Sequence, residues 1–78
     1  MTDTITIDTR GLSCPLPVLL AKKHLRAIAG GTLVHILATD PLAPEDFRDF
    51  CRVSGCVWIG SREAEDGVLE ITIRQAKG

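Results

Sequence analysis

The chain has 78 residues, room for one small domain spanning 1–78 and no second core. Hydrophobic residues make up 45% and charged residues 24%, a globular mix that argues against disorder. A net charge of −1 disfavours a phosphate-backbone binder, and Phe47, Phe50 and Trp58 are too few for a base-stacking platform, so no direct nucleic-acid contact is expected.

Thr4-Ile5-Thr6-Ile7-Asp8 alternates polar and apolar residues, the pattern of a half-buried strand. After a short connection through Arg10 and Gly11, a helix is predicted from about Pro15 to Ala29, with Val18, Ala21, Leu25 and Ile28 on one stripe. Gly30-Gly31 is expected to stop it, since glycine tolerates the left-handed conformation of a C-terminal cap. Thr32 to Thr39 reads as a second strand, apolar on both faces and so interior to a sheet. Strand, helix and strand in that order predict a right-handed parallel crossover.

Asp40-Pro41-Leu42-Ala43-Pro44 opens a second helix that runs to about Ser54, with Asp40 as the candidate N-cap. Ala43, Phe47, Phe50 and Cys51 form its inward face, and Glu45, Asp46, Arg48, Asp49 and Arg52 are expected to point outward. Gly55 ends it. Cys56 to Arg62 and Val68 to Arg74 are two further strands, joined by a hairpin-type reversal at Asp66-Gly67, and the tail Gln75-Ala76-Lys77-Gly78 is expected to fray. The order is βαβαββ. Both amphipathic helices need the same apolar sheet surface, which predicts a two-layer α/β sandwich with a mixed four-stranded sheet.

Cys14 lies where the first strand hands over to the first helix. A thiol there is near the positive end of the helix dipole and near unpaired N–H groups, which favour thiolate. Pro15 and Pro17 lack amide hydrogens and suit a first turn, where those donors have no helical partner. Helix N-termini bring a thiol from ~8.5 to roughly 7 or lower, so a depressed pKa is expected for Cys14. Arg10 is placed either to add positive charge near the sulfur or to pair with Asp8. Asp8 is expected to accept hydrogen bonds from the following loop. No general base stands beside the thiol in sequence.

The remaining polar candidates are weaker. Cys51 reads as a buried small apolar residue, and Cys56 begins a strand at a sheet edge, where partial exposure is open and a secondary or resolving thiol is the less favoured role. No C-x-x-C pair is present, and Cys14, Cys51, Cys56, His24 and His35 match no common zinc frame, so no metal is expected. Lys22, eight residues beyond Cys14, lies ~12 Å further along the helix and is suited to touching a partner rather than the sulfur. Residues 1–39 carry four bases against two acids and residues 40–78 five against eight, which fits either two solvated faces or a weakly basic docking face beside Cys14 for an acidic partner. Three cysteines without a hydrophobic leader predict a reducing cytoplasm, and no apolar stretch reaches membrane-spanning length.

The block Asp8-Thr9-Arg10-Gly11-Leu12-Ser13-Cys14-Pro15-Leu16-Pro17, followed by Lys22, resembles the signature of the TusA-like (SirA-like) sulfur-carrier family. The similarity extends through Ala38-Thr39-Asp40-Pro41 and Phe50-Cys51, and so over essentially the whole chain. The framed Cys-Pro-x-Pro motif is specific, where a lone Cys-Pro is not. The resemblance implies a sulfurtransferase that carries sulfane sulfur as a persulfide on Cys14, with no separate cofactor. A cysteine desulfurase or rhodanese is the implied donor, and another sulfur-handling protein the acceptor. Transfer RNA thiolation, molybdenum-cofactor maturation and sulfur oxidation are the implied pathways. Asp8, Arg10, Gly11, Pro15, Pro17 and Lys22 match the signature around the cysteine. Gly55-Cys56 departs from the Gly-His common at that point. A monomer is the expected state. The rival readings are a regulatory interaction module using the same loop and a thiol redox switch.

Overall fold

A computed structural model describes residues 4–76, and its elements follow the predicted order. They are β1 (Thr4–Thr9), α1 (Leu16–Leu25), β2 (Leu33–Ala38), α2 (Ala43–Ser54), β3 (Val57–Glu63) and β4 (Leu69–Arg74), with a single 3-10 turn over Glu65–Gly67. The spatial strand order is β1-β2-β4-β3. β1 and β2 are parallel, with Ile5 opposite Val34 and Ile7 opposite Ile36, whereas β4 is antiparallel to both β2 and β3. β2 is therefore interior, as its two apolar faces require. The chain has the expected α+β sandwich, with two helices laid over a mixed sheet.

One face of the sheet presents Ile7, Val34, Ile36, Ala38, Ile71 and Ile73, all buried. Ala21 and Leu25 of α1 and Ala43, Phe47 and Cys51 of α2 close over them to make one core. Phe47 is the largest side chain wholly removed from water, so the seat of α2 on the sheet depends on it. Gly55 caps α2 at φ 85°, a left-handed conformation that lets its N–H reach the Cys51 carbonyl at 3.0 Å.

Two differences from the sequence reading go beyond one residue at the end of an element. The α-helical part of α1 stops at Leu25, and the chain tightens, Ala27 N–H donating to the His24 carbonyl and Ile28 N–H to that of Leu25, each at 3.1 Å. Gly31, at φ 86°, serves the turn into β2 instead of capping the helix. The expected fraying fails at Gln75. Its N–H donates to the Thr32 carbonyl at 2.9 Å, its carbonyl accepts from Gly31 at 3.0 Å, and its side-chain amide donates to the Leu25 carbonyl at 2.7 Å. Lys77 and Gly78 lie outside the described residues. The predicted reversal at Asp66-Gly67 is present, both residues having positive φ (58° and 73°), with Ala64 N–H closing on the Val68 carbonyl at 2.7 Å. No helix of the described residues is long and apolar enough to cross a membrane.

Phe47→Ala is expected to cost about 3–5 kcal/mol of stability through lost transfer energy and the cavity left behind. Urea unfolding checks this; a loss below about 1 kcal/mol would show that the core closes without it.

Candidate functional site around Cys14

Because β1 and β2 run parallel, their carboxyl ends reach the same edge of the sheet and the connections that follow them meet there. Thr9, fully buried at the end of β1, donates its hydroxyl to the Leu37 carbonyl of β2 at 2.6 Å and fixes where the first connection begins. Gly11 then turns the chain at φ 82°, and its N–H donates to the Thr39 hydroxyl at 2.9 Å. A Cβ at Gly11 would meet nothing within 4 Å, so conformation rather than space calls for glycine there.

Asp40 joins the two connections. One of its carboxylate oxygens accepts the Cys14 N–H and the other accepts the Leu42 N–H at 2.9 Å. It therefore does not cap α2, as the sequence reading expected; Leu42 holds the N-cap position and makes no side-chain cap bond. Its place two residues before that cap lets it reach across to the neighbouring loop. The two backbone N–H bonds, the Leu42 one contributing more, hold the Asp40 carboxyl below its ordinary range.

Cys14 is exposed. The Cys14–Pro15 peptide is cis, Pro15 takes the N-cap position of α1, and Leu16 begins the helix. Pro17 is buried in the first turn. Asp8 and Arg10 form a paired unit at the mouth of the loop. Arg10 donates its backbone N–H and its Nε to one Asp8 oxygen at 3.0 and 2.9 Å, and a terminal nitrogen to the other at 2.8 Å. Hydrogen bonding from the Arg10 side chain is the main cause of an Asp8 pKa lowered to about 2. Of the two roles open to Arg10, the structure realises the ion pair.

The thiol faces a groove of about 370 Å³ between α1 and α2. Pro15, Val18, Leu19 and Lys22 line one side and Asp46, Asp49, Phe50 and Val53 the other. One expectation and one of two alternatives fail here. Asp46 is half-buried and turned toward the groove, not outward, because it precedes Phe50 by four residues and shares its side of the helix. The face beside the thiol is also not basic, since two carboxylates oppose the single ammonium of Lys22 in its lining.

The expected depression of the thiol pKa is overturned for the same reason. Hydrogen bonding to the Asp46 carboxylate, partial desolvation and the negative charges of Asp46 and Asp40 all push the Cys14 thiol up. One N–H that was to favour thiolate, that of Cys14 itself, is already taken by Asp40. The other two thiols are buried. Cys51 is pushed up to about 11 by desolvation, then by the charge of Cys56. Cys56 is buried, not partly exposed, and donates its S–H to the Gln75 side-chain oxygen at 3.3 Å. Among the described residues no group of three or more His, Cys, Asp or Glu side chains is arranged to hold a metal ion.

Residues 5–75 match the family described as Sulfurtransferase TusA. The chain belongs to that family. A relative from Neisseria meningitidis is 45% identical over 69 residues, 88% of this chain and 92% of that one. The sulfur carrier protein TusA of Allochromatium vinosum is 40% identical over 70 residues, covering 90% and 91% of the two chains. The crystal structure of a SirA-like protein from Desulfitobacterium hafniense superimposes with a TM-score of 0.80 at 31% identity, over 94% of this chain and 99% of that one.

Within this family frame, the structure gathers Cys14, Pro15 and Lys22 on one groove and sets Asp8 near the end of β1, with Arg10 and Gly11 in the loop that follows. Pro17 serves the core of the first turn. Sequence reasoning missed Thr39 and Asp46 at the site and gave Asp40 the wrong task. The spacing Asp46, Phe50, Val53 was the available signal for Asp46, since it repeats at i, i+4, i+7.

Asp8 and Asp40 both ionise more readily in the fold than at their ordinary value of 3.8. Their hold on the loop is thus complete above that pH and is lost as the pH falls through the folded values, about 2 for Asp8. The backbone amide resonance of Arg10 is expected to shift as the pH falls from 3.8 through about 2, and that of Cys14 as it falls below 3.8. In Asp40→Asn the Cys14 shift should disappear while that of Arg10 stays; a Cys14 shift unchanged by the substitution would refute the clip.

Proposed function

We propose that this protein is a sulfur carrier that accepts sulfane sulfur as a persulfide on Cys14 and delivers it to a thiol of an acceptor protein. The carrying observation is an exposed thiol on a loop held by two connections of the sheet, opening onto a groove rather than into a closed active site. A carrier needs a reachable sulfur, and its partners complete each reacting centre. The names of its relatives support the same reading.

In the loading step, Cys14 thiolate attacks the outer sulfur of a donor persulfide. A new S–S bond forms at Cys14, the old one breaks, and the donor cysteine departs as thiolate and takes up a proton. Unloading repeats this with the acceptor thiol as nucleophile and Cys14 as leaving group. The cargo is held covalently, so the reading assigns no separate cofactor. A cysteine desulfurase or rhodanese has the chemistry of the donor, and the protein acts as a sulfurtransferase only together with such a partner. Thiolation of transfer RNA, molybdenum-cofactor maturation and sulfur oxidation all use this carrier step. Three free thiols suit a reducing cytoplasm.

The groove supplies a surface for approach. Leu19 is 52% exposed and Val53 88% exposed, beside half-buried Val18 and Phe50. Apolar side chains left in water next to a reactive atom are what a docking partner would cover. A monomer leaves that face free for donor and acceptor in turn.

Incubation with a cysteine desulfurase and cysteine is expected to add a mass of about 32 Da, one sulfur atom. Intact-protein mass spectrometry should show the adduct in wild type and Cys56→Ser and none in Cys14→Ser. Persistence of the adduct in Cys14→Ser would remove Cys14 from the carrier role.

A further inference from the structure

Asp46 stands in the first turn of α2, on the wall of the groove that faces Cys14. Its N–H donates to the Leu42 carbonyl at 3.0 Å, and the Leu42 N–H is held by Asp40 at 2.9 Å. The same Asp40 carboxylate holds the Cys14 N–H. One clip thus places both Cys14 and Asp46, which line the same groove.

The other charges around the sulfur do not cancel that carboxylate. Arg10, on Cys14's own loop, is engaged by both oxygens of Asp8. Lys22 lines the groove about two turns along α1. Asp49 adds a second carboxylate on α2, and Asp40 a third behind the loop.

We propose that Asp46 sets the direction of sulfur transfer: its carboxylate disfavours negative charge on the Cys14 sulfur, so the protein holds its cargo weakly and gives it up readily. This deepens the carrier reading and rests on it. A persulfide is a stronger acid than its parent thiol. Near neutral pH the loaded protein carries Cys14–S–S⁻, whereas the empty one carries neutral Cys14–SH, whose ionisation the Asp46 carboxylate across the groove already opposes. A fixed negative charge beside the sulfur therefore raises the free energy of the loaded, anionic state relative to the empty, neutral one.

The exchange balances as Cys14–SH plus R–S–SH giving Cys14–S–SH plus R–SH, with the persulfide proton then lost to water. The outer sulfur of the donor moves to Cys14, one S–S bond replaces another, and no external oxidant or reductant is used. The carboxylate acts on the position of this equilibrium through charge. It need not take the proton.

The test uses the full chain and glutathione persulfide as donor. Wild type, Asp46→Asn and Glu45→Gln are equilibrated at about pH 7 with one fixed ratio of glutathione persulfide to glutathione, and the loaded fraction is read by intact mass. On the empty proteins, the rate of Cys14 alkylation by iodoacetamide is followed against pH. Asp46→Asn is expected to raise the ratio of loaded to empty protein about two- to fivefold, the scale of one exposed charge pair, and to lower the pH midpoint of alkylation. Glu45→Gln removes the same charge from the same turn, but on the side of α2 that faces Trp58, and is expected to match wild type in both. Unchanged loading in Asp46→Asn overturns the proposal even if the alkylation midpoint moves, and an equal rise in Glu45→Gln does so too. Wild type that takes up no sulfur overturns the carrier reading itself, and this inference falls with it.

Discussion

The Asp40 carboxylate binds two amides that belong to different connections, those of Cys14 and Leu42. Neither loop has a strand or helix to hold it at that point, and each would otherwise leave its N–H to water. Charge-assisted bonds to one rigidly placed carboxylate give both loops a common reference. The arrangement exists only because β1 and β2 are parallel neighbours whose ends emerge together, a pairing held by Ile7 against Ile36 and by the Thr9 hydroxyl on the Leu37 carbonyl. The core therefore reaches the reactive sulfur through two short links: buried strands fix the loop ends, and Asp40 fixes the loops to each other.

This construction explains how so small a protein keeps a presented thiol in a defined place. Phe47 seats α2 on the sheet, α2 carries Asp46, Phe50 and Val53 to the groove, and α1 supplies Val18 and Leu19 opposite. The groove wall and the thiol loop are joined at the start of both helices, so the lining residues nearest the sulfur are also those nearest the clip. The electrostatics oppose what a helix N-terminus alone would do. A macrodipole at that end favours an anion by about 0.3–1 kcal/mol when exposed. Here a facing carboxylate and a second one bound to the Cys14 amide act against it, and the thiol is pushed up.

Much of the fold was legible because burial writes a periodic pattern. Thr4–Asp8 alternates in sequence and buries Ile7, though Ile5 stays exposed, β2 is apolar on both sides, and the inward face of α2 is correctly read as Ala43, Phe47, Phe50 and Cys51. The ends of elements were less legible. α1 stops at Leu25 and Gln75 is anchored, since both outcomes depend on bonds between the Leu25–Thr32 segment and the far end of the chain. Such bonds leave no local periodicity. At the site, the reactive cysteine and the Asp8–Arg10 pair were legible because they are neighbours in sequence. Thr39 reaches Gly11, and Asp40 and Asp46 reach Cys14, from more than twenty positions away, and nothing near Cys14 announces them.

The sequence by itself determined the order of elements, the two-layer architecture, and the identity of the one cysteine placed outside any apolar stripe. Those follow from side-chain periodicity and from proline and glycine constraints, which act over a few residues. Tertiary structure alone decided the charge around that cysteine. Parallel pairing of β1 and β2 brought the Asp40 connection alongside the Cys14 loop, and the seating of α2 turned Asp46 inward. Electrostatic energy depends on distance through space, and only the folded chain sets those distances.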